Sequence, residues 1–203
     1  GELSLSLFGL YPLDSGRITL DGENIKLGSV EDAVAKGIGY IPEDRLTQGL
    51  FLNKSLADNV SATLLDVVKS WSGFLRTGRL RQIARDMLGS LEVRLSSIDS
   101  PASTLSGGNQ QRVVIGKWLG REPKLLILNG PTVGVDVGSK QTIHERLREL
   151  ARSGVGVIII SDDLPEIAAN CNRVLLIHKG AVVREFSMAI HGESDISDEM
   201  RRL

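Results

Sequence analysis

The chain of 203 residues has a single cysteine, Cys171, so it can form no internal disulfide and has no cysteine cluster for a metal. A reducing, cytoplasmic setting is therefore the default expectation. No window approaches the roughly 20 apolar residues that a membrane-spanning helix requires, and the amino terminus lacks a basic-then-apolar secretory signal. Any membrane role is expected to come through partners. Lys and Arg total 24 against 25 Asp and Glu, so no excess of charge calls for nucleic acid or an anionic membrane. Aromatic residues are few, and Trp71, Phe74 and Trp118 read as packing residues rather than a base-stacking platform. His144 and His178 have no ligand partner at useful spacing and read as surface or packing residues. The chain also opens without Met on Gly1-Glu2 and runs straight into residues 3–10, which read as the middle of an element, so a preceding segment is expected.

A hydrophobic content of 41% with mean hydropathy near zero is enough to bury a real core. Residues 15–22 read as a short strand closed by the turn Asp21-Gly22, the start of an edge hairpin. Residues 29–35, with Glu31 and Asp32 in the first turn and Gly37 just beyond, read as a short capped helix leading into a strand at 38–41. From about residue 54 to 100 the character changes: apolar residues recur at helical spacing over 80–93 with Arg between them, as in a helical insertion. Three β-branched apolar runs follow, at 125–128, 155–160 and 174–177, separated by helical patterns such as 140–152. Together they predict a buried parallel sheet. Lys179-Gly180 then turns the chain into 181–186 as a terminal hairpin, and the polar stretch 193–203 reads as a frayed or linking tail.

The sharpest feature is Leu105-Ser106-Gly107-Gly108-Asn109-Gln110-Gln111-Arg112, followed by an apolar helix-compatible segment. Two glycines let backbone approach a phosphate, Ser106 offers a hydroxyl, and the following helix points its positive end at the ligand. The bland reading is a Ser-Gly-Gly helix cap. Downstream stands Lys124-Leu125-Leu126-Ile127-Leu128-Asn129-Gly130-Pro131-Thr132-Val133-Gly134-Val135-Asp136, and upstream Tyr40-Ile41-Pro42-Glu43-Asp44-Arg45. In this order the segments resemble the signature, Walker B strand with D-loop, and Q-loop of ABC ATPases. The Pro-Glu-Asp-Arg stretch is similar to that of bacterial ribose, galactose and xylose importers, specifically their second ATP-binding domain.

Several positions depart from the family pattern. Where the resemblance implies a Mg²⁺-holding Asp and a water-polarising Glu, the chain has Asn129 and Gly130. Asn129 retains only a weak reach to a metal-bound water, and Gly130 has no side chain to act as base. The family's switch histidine falls at Asp162, whose charge would repel a γ-phosphate, though Asp162 and Asp163 also read as a simple helix N-cap. Glu43 replaces the Q-loop glutamine. No Gly-Lys-Ser or Gly-Lys-Thr phosphate loop occurs; Gly116-Lys117-Trp118 lacks the hydroxyl and lies in a helical pattern. No catalytic set is intact, and the chain alone is expected to be inactive.

The resemblance implies an α/β, P-loop NTPase-like core with a parallel sheet flanked by helices, an N-terminal antiparallel portion and a helical insertion. Its parts would be residues 1–53 as the start of the core, 54–104 as a helical subdomain, 105–190 as the signature helix and the rest of the core, and 191–203 as a tail. It implies ATP with Mg²⁺, bound between this chain and a first ABC domain of the same or a paired chain. Ser106, Gly107, Gly108 and Gln110 would then reach the partner's ATP, with Glu43 and Asp136 also among the nucleotide-binding positions; Asp136 would organise the interface between domains, and the Glu43 loop with the helical insertion would meet the membrane permease. Membrane permease subunits and an external sugar-binding protein complete the expected importer, at the cytoplasmic face of the cell membrane and without nucleic acid. A nontransport ABC ATPase and a noncatalytic interaction domain are the alternatives.

Overall fold

The computed structural model describes residues 1–65 and 76–203, so Trp71 and Phe74 lie outside the described residues. By compactness the described chain forms two units, Gly1–Ile158 and Ile159–Leu203.

The first unit begins with helix α1 (Glu2–Leu7), followed by a hairpin of β1 (Ile18–Leu20) and β2 (Glu23–Ile25) in register Ile18 to Ile25. Asp21 and Gly22 between them both have positive φ, 53° and 81°, as the two-residue turn expected from Asp-Gly requires. Helix α2 (Val30–Ala35) is capped by Ser29, whose Oγ accepts from Asp32 N at 3.2 Å. Strand β3 (Ile38–Ile41) is buried throughout and pairs in parallel with β4 (Leu125–Asn129), Ile38 opposite Leu125 and Ile41 opposite Leu128. Strand β5 (Gly156–Ile160) lies on the other side of β4.

Four helices complete this unit, α3 (Leu56–Ser61), α4 (Thr77–Ser90), α5 (Gly107–Leu119) and α6 (Val137–Arg152), and α5 packs against β3. α4 buries Leu80, Ala84 and Leu88, one face at a spacing of four residues, and packs with α3 and α5. α5 reaches β3 because Gly39 has no side chain: a Cβ there would stand 2.7 Å from Leu126 Cδ2 and 3.1 Å from the Trp118 ring. Trp118 meets Phe8 edge-on with ring centroids 5.6 Å apart, so it is the packing residue expected.

The second unit holds α7 (Leu164–Asn170), β6 (Arg173–His178), β7 (Ala181–Ser187) and α8 (Glu193–Met200), around buried Phe186, Ile167 and Ile196. Two sequence expectations are corrected here. The run 174–177 does not join the parallel sheet: β6 pairs antiparallel with β7 and alternates in burial, with Leu175 and Ile177 43% and 46% exposed. An apolar residue on each face had mimicked a strand buried on both sides. The polar tail is the helix α8, held because Gly192 N donates to Asp195 Oδ2 at 2.7 Å, Ile196 is buried, and Arg184 bridges Glu199 at 2.6 Å.

Candidate functional site

In the first unit, the carboxyl end of β4 and the segment after β3 open onto a cleft of about 770 Å³ lined by Tyr40, Glu43, Arg45, Asn129 and Gly134 among others. Pro42 ends β3, and Asp44 then starts a single π-helical turn, Arg45–Gly49. Asp44 Oδ1 accepts from Leu46 N at 3.0 Å and Thr47 N at 3.3 Å, and Oδ2 from Thr47 Oγ1 at 2.6 Å. The Thr47 hydroxyl bond, followed by these backbone bonds, holds the Asp44 carboxyl below its ordinary value. Glu43 is exposed towards the cleft.

Asn129 is the last residue of β4 and lines the same cleft, whereas Gly130 is buried at φ 57°. A Cβ on Gly130 would stand 2.9 Å from Val133 Cγ2 and 3.1 Å from Glu43 Cγ. The space beside Gly130 is thus filled by the methylenes of Glu43. Among the described residues no group of three or more His, Cys, Asp or Glu could hold a metal. A neutral amide at 129 and a glycine at 130 do not fit a resident Mg²⁺ ion, which takes carboxylate and phosphate oxygens.

Ser106 is the N-cap of α5 and is exposed. Its side chain does not cap the backbone; instead its Oγ accepts from Asn109 Nδ2 at 3.1 Å. The first-turn N–H groups are therefore left without a side-chain cap, an arrangement suited to an incoming anion. Both glycines are needed within the chain as well. A Cβ on Gly107 would lie 2.8 Å from Arg45 Nη2 and 3.0 Å from Gly134 O, and one on Gly108 would lie 2.4 Å from Ser139 Oγ. Gln110 departs from its expected place: it is only 8% exposed and its amide donates to Ala102 O at 3.3 Å, because the fourth residue of the helix turns inward under the preceding loop.

Asp136 caps α6 through Ser139 N at 3.0 Å, and this backbone bond leads the causes that hold its pKa down. Asp162 lies in the second unit, exposed in the bend before α7, where Asp163 is the cap and accepts from Glu166 N at 3.1 Å. The residue that sequence reasoning passed over is Arg45. Its Nη1 donates to Val133 O at 2.7 Å and Nη2 to Gly134 O at 3.3 Å, across 88 and 89 positions of chain that no local spacing could connect.

Asp99 is held low chiefly by its bond to Arg81, at 2.7 Å, so with Asp44 and Asp136 three carboxylates have folded pKa values below the ordinary 3.8. The stability they contribute is complete above about pH 5 and is lost as pH falls through their folded values. The urea midpoint is expected to drop on acidification through that window, and Asp99→Asn is expected to flatten the drop. An identical pH profile in Asp99→Asn contradicts the assignment.

A nucleotide-binding domain of the ATP-binding-cassette class is what this parallel sheet, cleft and glycine-headed helix define. The model of the ABC transporter family matches residues 3–133, and the chain belongs to that family. Its relatives are sugar-import ATP-binding proteins. The ribose import ATP-binding protein RbsA 2 of Rhizobium meliloti is 41% identical over 186 residues, covering 92% of this chain and 36% of that protein. A putative ribose/galactose/methyl galactoside import ATP-binding protein of Agrobacterium fabrum is 37% identical over 195 residues, covering 96% and 39%. This chain thus spans a little over a third of the length of these relatives. Among solved structures, cbiO1 of Clostridium perfringens, part of the ABC transporter complex cbiONQ, superposes with a TM-score of 0.76 at 25% identity over 99% of this chain and 76% of that one. No helix among the described residues is long and apolar enough to cross a membrane.

Proposed function

We propose that the chain is the second ATP-binding domain of a monosaccharide importer ATPase, donating its signature turn to an ATP site on a partner domain while its own site is hydrolytically impaired. The observation that carries this reading is the contrast within one unit: Ser106 stands exposed at the uncapped head of α5, whereas β4 ends in Asn129 and is followed by Gly130. The first can receive a phosphate; the second lacks both the carboxylate for a metal and the base for water.

ATP with its Mg²⁺ is then the substrate of the assembled importer, held by a first ABC domain and completed by Ser106, Gly107 and Gly108 from this chain. Asp136 and the turn before it lie at the domain interface, Glu43 borders the cleft, and Asp162 occupies the switch position. Gln110 supports α5 from within. ATP contacts both domains only when they close, so binding favours closure and hydrolysis releases it. Permease subunits would take up that motion at the cytoplasmic face of the membrane, and an external sugar-binding protein would supply a ribose-type sugar. The chain alone is inactive on this reading.

Uptake tests it. Vesicles carrying the full-length ATPase and its permease, with the sugar-binding protein outside, are expected to accumulate labelled ribose or a related monosaccharide only with ATP on the cytoplasmic side. ATP hydrolysis indifferent to every monosaccharide, with no uptake, contradicts the importer reading.

A further inference from the structure

We propose that Arg45 is a positioning residue that sets the spacing between the signature turn and the Val133-Gly134 turn and ties both to the 43–49 segment. The proposal rests on the reading that Ser106, Gly107 and Gly108 complete a partner's ATP site. Three observations carry it. The guanidinium fork donates to two successive carbonyls, Val133 O at 2.7 Å and Gly134 O at 3.3 Å, a task for which a fixed planar donor pair is suited and a single ammonium is not. The same Nη2 lies 2.8 Å from where a Cβ of Gly107 would be, so the cation fills the gap between that turn and the first residue of α5. The third observation concerns the far end of the π-helical turn that Arg45 begins. There Lys117 Nζ, from the last turn of α5, donates to Gly49 O at 2.6 Å, and Gly49 packs against Val114.

The 43–49 segment is bonded to the 133–134 turn through Arg45 and to α5 through Gly49 and Lys117, and the Arg45 guanidinium lies beside Gly107 without bonding it. A displacement of that segment is carried to the signature turn and to the 133–134 turn together. Arg45 Nε is buried without a hydrogen-bond partner. Because the signature turn meets ATP only on closure, a change in its spacing acts on turnover rather than on ATP capture.

The experiment measures kcat and KM for ATP in the full-length ATPase with its permease, comparing wild type, Arg45→Ala, Arg45→Lys and Ser106→Arg, with the thermal unfolding midpoint of each. Arg45→Ala is expected to lower kcat at least about tenfold with KM within about threefold, since two charge-assisted bonds are lost. Arg45→Lys, which keeps charge and stem, is expected to lose about threefold or more because one ammonium cannot hold both carbonyls. If Ser106→Arg is inactive while either Arg45 variant turns over like wild type, the role of Arg45 is overturned and the signature reading stands. A kcat loss that only tracks the fraction unfolded also overturns it. Full activity in Ser106→Arg sinks the signature reading, and this proposal with it.

Discussion

On the proposed function, Ser106→Arg is expected to reduce sugar-stimulated ATP hydrolysis of the full-length protein at least about 100-fold, the loss that follows removal of a preorganised donor set worth about 3 kcal/mol in the transition state. Ser106 heads the 13-residue helix α5 with backbone φ −63° and ψ 157°, which any side chain adopts, and its own side chain is exposed. An arginine there places a bulky cation over the first-turn N–H groups where a phosphate would dock. The cap itself contributes no side-chain bond to the helix backbone, so the unfolding midpoint is expected to shift by only about 0.5 kcal/mol in equivalent free energy. Loss of hydrolysis with stability retained is the expected pair of results; a large fall in stability points instead to a structural cap.

Gly130→Glu, which writes back the carboxylate of the family pattern, is expected to destabilise the fold by about 2–3 kcal/mol and to restore no hydrolysis in this chain's own cleft when the partner site is disabled. Gly130 has φ 57°, a left-handed conformation that costs a non-glycine residue about 1–2 kcal/mol. The new Cβ would also stand 2.9 Å from Val133 Cγ2 and 3.1 Å from Glu43 Cγ. Only the second contact is relieved by shortening residue 43, so Glu43→Ala in combination is expected to recover about 1 kcal/mol, measured as the urea midpoint. Equal stability of Gly130→Glu and wild type contradicts the account of a space already filled.

What could be read in the sequence follows the reach of its physics. Local rules placed α2 from Ser29 and its acidic first turn, the Asp21-Gly22 hairpin from its turn chemistry, and β3 and β4 from continuous apolar runs. Ser106 and the glycines were found because their spacing is contiguous. The rest depended on contacts that spacing does not encode. Whether residues 174–177 have one covered face or two depends on what lies against them, and the hairpin with β7 leaves Leu175 and Ile177 exposed. The α8 helix owes its order to Ile196 burial and an ion pair with Arg184 rather than to composition. Gln110 reads as a ligand by motif but turns to Ala102 by helical phase. Arg45 reads as the end of a loop motif; its partners are nearly 90 residues away.

The central claim is that the signature on this chain serves a competent ATP site elsewhere while Asn129 and Gly130 do not. The most direct measurement compares sugar-stimulated ATP hydrolysis of the reconstituted importer in wild type, Ser106→Arg and Asn129→Ala under one set of conditions. The account predicts that Ser106→Arg abolishes turnover and that Asn129→Ala stays within about threefold of wild type, since a neutral amide that holds no metal contributes little to the reaction. A damaging Asn129→Ala together with a tolerated Ser106→Arg contradicts it, and assigns hydrolysis to the cleft of this chain.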